Sequence, residues 1–345
     1  MRPVGEMESD VPELVTVVVP ARNEQAFIRA CLRSIQDQDY RNLQIVVVDG
    51  DSDDATAQVV RDIGEADARV ELLVNPERVI PRSLNIAVDA ARGRWLVRVD
   101  AHATVPADYV TRAVGHLRTG QWAGVGGRKD GVGVTPAGRA IAAAMGSRFG
   151  VGNSTYHYGE ALQTVEHVPF GAYPLEVIRR LGGWDEKLRV NQDFEFDYRV
   201  RESGGKLLFD PRLVIHWHSR QSVPDLYRQY RRYGKGKVTV GALHPKSLRP
   251  RHLMAPALVA GGALAGAVAL RRPAAGAALV APYALALVAA SAATARRLDD
   301  RGAQAWVAPA FLAMHVGWGV GFWQGIVGLA AGAGARPAGR RSGSA

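Results

Sequence analysis

The chain has 345 residues, a formal net charge of +10 and a single cysteine. That length leaves room for a domain of about 250 residues and an appendage. Cys31 alone excludes a disulfide within the chain and fits a reducing compartment. The positive charge points to nucleic acid, anionic lipid or phosphorylated substrates, and with no recognisable nucleic-acid-binding module the first of these is set aside. Residues 1–13 are acidic and polar without an apolar core, so they are not expected to act as a secretory signal.

In chain order, residues 15–19 are a β-branched run closed by Pro20 and predict a buried strand. Residues 27–36 have helical periodicity. Residues 44–48 predict a second strand, closed by an acidic cluster at 49–54. A helix over 55–63 and a strand over 70–74 follow, then a helix capped by Ser83 that runs to Ala91 and stops at Gly93. Residues 95–99 give a fourth strand. This alternation implies right-handed βαβ units and a parallel sheet. Residues 121–164 are Gly-rich and predict no defined element. Beyond them come a helix at 175–181 stopped by Gly182 and Gly183, a helix at 193–203, strands at 206–209 and 213–218, and a helix at 223–233.

Composition changes near Leu253, after which Ala, Gly, Leu and Val dominate. Residues 253–270 are uncharged over 18 positions, roughly 27 Å as a helix and barely enough to span a bilayer. Residues 274–295 supply a comfortable 22, and 302–335 are uncharged for 34, long for one straight span and tight for two. Gly317, Gly319 and Gly321 would kink that segment or mark a re-entrant turn. Soluble helices of such length would show a charged face, and these show none. Arg228, Arg231, Arg232, Lys235, Lys237, Lys246, Arg249 and Arg251 crowd just before the apolar region. That placement suits an anionic membrane surface, where each cation contributes about 1 kcal/mol. With three spans and a cytoplasmic first domain, Arg271, Arg272 and the tail arginines Arg336, Arg340 and Arg341 fall outside, which strains the positive-inside rule. The span count stays open.

The chemistry concentrates at strand ends, where ligands bind in open α/β sheets. Asp100 falls where the fourth strand runs out, with His102 two residues on. A carboxylate and an imidazole at that spacing can reach one divalent cation, and a cation that also holds a diphosphate implies a nucleotide. One hard oxygen and one imidazole nitrogen accept Mg²⁺ and somewhat favour Mn²⁺. Asp49 ends the second strand, where a carboxylate can accept a hydrogen bond from the N3–H of uracil. Ser52, Asp53 and Asp54 read as turn and N-cap chemistry. His216 and His218 share one strand face by alternation.

Taken together these phrases resemble the family 2 glycosyltransferases. The matching phrases are Val17-Val18-Val19-Pro20-Ala21-Arg22-Asn23-Glu24, Val46-Val47-Val48-Asp49-Gly50-Asp51-Ser52-Asp53-Asp54, Arg98-Val99-Asp100-Ala101-His102-Ala103 and Phe170-Gly171-Ala172-Tyr173. Gly182-Gly183-Trp184-Asp185-Glu186, Asn191-Gln192-Asp193 and Gln229-Tyr230-Arg231-Arg232-Tyr233 complete the set, which covers about residues 14–240. The wording around Asp100 is most similar to the succinoglycan glucosyltransferase-like branch with a membrane-embedded C-terminus. The resemblance implies an α/β fold of the GT-A type, Rossmann-like with a mostly parallel sheet, over 14–233. A basic linker over 234–252, a transmembrane region over 253–335 and a basic tail over 336–345 would follow.

The resemblance also implies roles. Pro20, Ala21, Glu24, Asp49 and Asp51 would line the donor site, Arg82 would contact the diphosphate, and Asp100 with His102 would hold the metal. Either His216 or His218 would complete the metal sphere. Asp193 would be the general base, with Glu195 as fallback. Gly171, Ala172, Gln229, Arg232 and Tyr233 would lie beside acceptor or diphosphate. Tyr233 stands where the family's motif carries Trp, and Gln192 where it carries a first acid. The expected activity is metal-dependent, inverting transfer of a sugar from a nucleotide-sugar donor, UDP-hexose first. The expected acceptor is a lipid-linked saccharide, with the enzyme multi-pass in the plasma (inner) membrane among its lipids, its catalytic domain cytoplasmic. A processive synthase, a catalytically silent membrane scaffold and a nucleotidyltransferase are the alternatives. The short tail disfavours the first, the presence of Asp100 and Asp193 the second, and the lack of a Gly-rich basic loop after the first strand the third.

Overall fold

The computed structural model describes residues 12–334. Most of the polar opening and all of the basic tail, Arg336, Arg340 and Arg341 included, lie outside those residues. Contacts divide the chain into two units, Met1–Asp130 with Thr155–His218 and Gly131–Ser154 with Ser219–Ala345. Residues 131–154 thus group with the segment that begins at Ser219.

The first unit is built on strands β1 (Val15–Ala21), β2 (Leu43–Asp49), β3 (Val70–Val74) and β4 (Trp95–Arg98), parallel to one another in the order β3-β2-β1-β4. Val15, Val17, Val18 and Val19 are all fully buried, as a strand covered on both faces requires. Thr16 in their midst is satisfied: its hydroxyl donates to Gln44 Oε1 at 2.8 Å and accepts from Gly93 N at 3.0 Å. Helices α1 (Ile28–Gln36), α2 (Thr56–Ala66) and α3 (Ile80–Ala90) make the crossovers. Ile28, Cys31, Leu32 and Ile35 give α1 its buried face, at the spacing of one helical stripe. Ser83 is not a cap. The helix starts three residues earlier, with Pro81 in its first turn, and Ser83 accepts a hydrogen bond from Asn75 instead.

Parallel pairing stops at β4. Strands β5 (Ala103–Thr104), β6 (Gly124–Val132), β7 (Gln163–Val165), β8 (Ala172–Pro174) and β9 (Leu207–His218) complete a nine-stranded mixed sheet. In it β8 runs antiparallel to both β4 and β6, and β9 antiparallel to both β5 and β7. The Gly-rich stretch therefore contains a strand. Its glycines reflect crowding, since a Cβ on Gly127 would meet Leu213 O at 1.7 Å. The two strands expected over 206–218 are one. Helices α4 (Tyr109–Arg118), α7 (Leu175–Arg180) and α8 (Gln192–Glu202) pack on this half; α5 (Pro136–Met145) and α6 (Arg148–Val151) belong to the second unit.

Asp210 in β9 accepts from His116 of α4 at 2.8 Å and from Arg212 at 2.9 Å. Burial raises its carboxyl, but these donors outweigh it and hold the pKa at about 2. The stability this group adds, about 2 kcal/mol, is present above pH 4 and lost as pH falls toward 2. Asp210→Asn is expected to lower the melting temperature at pH 7 and to flatten the acid side of the stability profile, checked by thermal melts from pH 7 to 2.5.

The second unit contains α9 (Val223–Leu243), α10 (Met254–Ala269), α11 (Pro273–Ala295), the short α12 (Arg301–Gln304) and α13 (Val307–Gly334). Three helical stretches, Pro250–Ala269, Pro273–Ala295 and Arg301–Ala331, are long and apolar enough to cross a membrane, and the last is half buried within the protein. Helix α9 continues ten residues past the expected end at Tyr233, taking up half of the expected linker. Gly317, Gly319 and Gly321 neither kink α13 nor reverse it. They let neighbouring backbones approach: Cβ atoms on Gly317 and Gly321 would meet Tyr227 O and Arg231 O of α9 at 2.9 and 1.9 Å, and one on Gly319 would meet Ala255 O of α10 at 2.4 Å. Small residues at these positions let the helix backbones pack closely. One polar knot sits among them. Tyr283 donates to His315 Nδ1 at 2.9 Å, and His315 Nε2 donates to Phe149 O at 2.8 Å. Gly321→Val is expected to separate α9 from α13 and to cost about 1–3 kcal/mol, read as a lower melting temperature of the detergent-solubilised protein.

Candidate active site

The carboxyl ends of β1, β2 and β4 carry the candidate groups of the first unit. The loops after β1 and β2 are tied together. Gly50 N donates to Ala21 O at 2.7 Å, Asn23 N to Ser52 Oγ at 2.9 Å, and Asp53 N to Asn23 Oδ1 at 2.9 Å. Asn23 and Asp51 both adopt left-handed φ, 56° and 54°. Asp49 is buried, and its carboxylate accepts from the backbone and hydroxyl of Ser52. Asp51 is pinned by an ion pair to Arg78. Arg82 lies between Glu77 at 3.4 Å and Glu186 at 3.3 Å. Pro20 and Ala21 close β1. Glu24 turns toward His102.

That contact orients the imidazole. His102 Nδ1 is 2.8 Å from Glu24 Oε1; with Nδ1 donating to the carboxylate, Nε2 is the nitrogen left for a ligand, as in carboxylate-oriented metal histidines. Asp100 accepts from Arg98 Nε at 2.8 Å, and the Arg98 side chain is 5% exposed. His218 N donates to His102 O at 3.1 Å, and His218 Nδ1 is buried without a hydrogen-bond partner. Burial, followed by the nearby His102, lowers the pKa of His218, so its imidazole is neutral and able to ligate. His216 shares that strand face but is exposed at the rim, opposite Thr104. Among the described residues, no three His, Cys, Asp or Glu side chains by themselves form a metal-holding group.

Helix α8 supplies Asp193 in its first turn, behind the left-handed Asn191. Asp193 is therefore not the N-cap residue. Burial raises its carboxyl, but His167 and Arg98 outweigh that and hold it below the ordinary carboxylate range. Glu195 is 2% exposed and bonded by Arg199 at 2.8 and 2.9 Å, while the same guanidinium reaches Leu181 O and Gly183 O. Through Arg199 its carboxylate ties α8 to the Gly182-Gly183 turn. Gly171 O accepts from Arg98 N at 3.3 Å, and Ala172 is a buried sheet position paired with Val97 and Val125.

Gln229, Arg232 and Tyr233 lie on α9 in the second unit. There Gln229 is buried and donates to Tyr233 Oη at 2.9 Å, and Arg232 is exposed.

The sequence reading missed several groups around Asp193 and Asp100. Arg98, two residues before Asp100, reads in the sequence only as part of the fourth strand. Lys129 lies 3.6 Å over the Trp217 ring and 4.8 Å over the Phe170 ring, and Arg98 is 5.3 Å from the Phe170 centroid. Phe170 holds its ring in a left-handed backbone position, φ 51°. His167 and Asp197 complete the list. The only signals for these groups were charged or aromatic residues in runs that otherwise read as strand or core.

The mixed α/β sheet, with its candidate groups at the carboxyl ends of β1, β2 and β4, is of the GT-A glycosyltransferase type. The model of glycosyl transferase family 2 matches residues 16–180. The chain is 30% identical over 318 residues to the succinoglycan biosynthesis protein ExoA of Rhizobium meliloti (strain 1021), covering 90% of this chain and 94% of that protein. This chain belongs to glycosyltransferase family 2. It is also 25% identical, over 65% of its length and 72% of the relative's, to the dolichyl N-acetyl-α-D-glucosaminyl phosphate 3-β-D-2,3-diacetamido-2,3-dideoxy-β-D-glucuronosyltransferase of Methanococcus voltae. Among solved structures, the mannosyltransferase PcManGT from Pyrobaculum calidifontis, in complex with GDP-Man and Mn²⁺, superposes with a TM-score of 0.60. Identity is 22%, and 92% of this chain and 90% of that one are covered.

The Arg98–Asp100 pair is buried, so removing one partner strands a charge. Arg98→Met is expected to cost about 3 kcal/mol, and Arg98→Met with Asp100→Asn less than the two single changes added together. A double-mutant cycle by chemical denaturation measures the difference.

Proposed function

We propose that the protein is a membrane-bound, metal-dependent, inverting hexosyltransferase. Its donor would be a nucleotide-sugar, UDP-hexose in first place, and its acceptor a lipid-linked saccharide at the cytoplasmic face of the plasma (inner) membrane. One observation carries the reading: the Arg98 guanidinium bonds Asp100 and its charge also acts on Asp193, so the metal-type carboxylate and the base-type carboxylate address one site. The likeness to a succinoglycan biosynthesis protein supports a role in exopolysaccharide or envelope glycan synthesis. The likeness to a transferase named for a dolichyl-linked sugar phosphate supports the lipid-linked acceptor. Asp49, buried at the end of β2, is the base-reading group that favours uracil.

Asp100 and His102, with His218 Nδ1 buried and without a hydrogen-bond partner among the described residues, would hold a divalent cation only together with diphosphate oxygens, since no three such side chains among those residues form a metal-holding group by themselves. A cation bound there would supply Lewis-acid neutralisation of the leaving nucleoside diphosphate. Glu24 keeps the His102 ring in its ligating tautomer, and Arg98 holds the Asp100 carboxylate in place by a hydrogen bond. Asp193, held as a carboxylate by its neighbouring cations, accepts the proton of the attacking acceptor hydroxyl. That oxygen bonds to the anomeric carbon on the face opposite the departing diphosphate, which inverts the configuration. On α9, Arg228, Arg231, Arg232 and Lys235 are exposed at the spacing of a single helix face, and at an anionic leaflet each would contribute about 1 kcal/mol.

The test is release of nucleoside diphosphate by detergent-purified protein across a panel of nucleotide sugars, with Mn²⁺, Mg²⁺ or EDTA and lipid-linked acceptors from membrane extract. Turnover of one donor is expected with metal, none with EDTA, and a fall of at least 10³-fold for Asp193→Asn, on the order of a lost general base and more. Binding of a donor without turnover on any acceptor would favour the silent scaffold.

A further inference from the structure

The proposed base does not stand alone. Asp197, one helical turn beyond Asp193 on α8, is fully buried and accepts three hydrogen bonds: from His167 Nδ1 at 2.7 Å, from Val168 N at 2.8 Å and from the Tyr173 hydroxyl at 2.7 Å. A carboxylate is an acceptor only, so this network puts the His167 proton on Nδ1 and leaves Nε2 bare in the neutral ring. That bare nitrogen lies 4.0 Å from Asp193 Oδ2. Tyr156 stands edge-on to the imidazole at 5.5 Å and Phe194 at 5.8 Å, and the ring is 14% exposed. Two carboxylates thus flank one imidazole, the buried one fixing its tautomer and the half-buried one facing its lone pair.

We propose that His167 is the positioning residue of the general base, receiving at Nε2 the proton that Asp193 takes from the acceptor hydroxyl. The inference rests on the reading of Asp193 as base. The hydroxyl O–H bond breaks as its oxygen bonds to the anomeric carbon, and the proton moves to an Asp193 oxygen and from there to Nε2. The resulting imidazolium lies between the Asp197 and Asp193 carboxylates and returns its proton to water after product release. Asp193 is thereby restored as a carboxylate within the turnover. The charged imidazolium, with Arg98, is what holds the Asp193 carboxyl below the ordinary range, so a proton that reaches the neutral ring at Nε2 leaves Asp193 ionised behind it. The separation of 4.0 Å closes to a hydrogen bond in the reacting complex, as apo sites commonly require.

The charged groups that face this pair are few. Asp193 and Asp197 come from α8, and Tyr173 from β8. Arg98 at the end of β4 and Lys129 of β6 act on Asp193. Tyr156 lies against the His167 ring, and His157 is neutral because burial, followed by the charge of Lys129, pushes it down to about 3.

His167→Asn tests the assignment, since the shorter amide can still donate to Asp197 while the group facing Asp193 is lost. The turnover number is measured from pH 5 to 9 at saturating metal and donor, beside the wild type, His167→Gln and Asp193→Asn, with donor affinity and melting temperature as controls. The wild-type rate is expected to fall on the acid side with a limb that depends on His167. In His167→Asn the rate at pH 8 is expected to drop 10- to 100-fold with unchanged donor affinity, and the acid limb to move toward the carboxylate range. The two profiles then converge near pH 5. An equal loss at every pH would mean that His167 only supports the fold, and overturns the proposal. Should neither His167 variant fold, a wild-type acid limb confined to the carboxylate range overturns it as well. Full turnover by Asp193→Asn overturns the base reading itself, whereas loss there with an unmoved limb in His167→Asn overturns only the role of His167.

Discussion

A buried guanidinium organises the first unit. Arg98 ends β4 almost without solvent, and a charge in that position persists only if carboxylates and hydrogen bonds answer it. Asp100 does so directly, and Asp193 through space. One cation therefore addresses two acids, Asp100 just beyond β4 and Asp193 on α8, a helix between β8 and β9. The backbone of the same arginine donates to Gly171 O, and its side chain lies at the Phe170 ring, so the turn into β8 is fixed by the same residue. Substituting β4 for packing alone would disturb all of these at once.

Three histidines of this unit are each held by a carboxylate, and what the second nitrogen meets distinguishes them. His116 uses its Nε2 on Asp210, which Arg212 also bonds, and the result joins α4 to β9. His102 uses Nδ1 on Glu24 at the end of the sheet where Asp100 lies. His167 uses Nδ1 on a carboxylate with no solvent exposure and turns its other nitrogen to a second acid. A carboxylate–imidazole pair is thus a common structural unit, and it becomes chemically informative through the direction of the second nitrogen.

The parallel half of the fold was legible because valine runs closed by Pro20, Asp49 and Asp100 announce both strand and strand end. The second half was harder to read for stated physical reasons. Glycines at 126 and 127 lower strand propensity on paper while serving strand packing in space, so β6 looked like loop. Asp210 and Pro211 suggested a break that the sheet bridges, and β9 emerged as one strand. Within the site, the positions of Asp100, His102, Asp193 and His218 followed from strand ends and periodicity. Glu195 has its i,i+4 partner Arg199 on the same helix face, a spacing the sequence displays and the reading did not use. His167 could not be found by pattern, because its meaning depends on Asp197 thirty residues away.

Helix α13 carries a consequence for length matching. Its 28 residues extend about 42 Å, against a hydrocarbon layer of about 30 Å. Seated in a bilayer, such a helix must lean or project beyond the lipid tails. The glycine contacts with α9 and α10 fix which side of it faces protein, so the lean is set by those neighbours and not by the lipid. If α13 spans a bilayer, a thinner or thicker membrane would load the α9–α13 seam directly.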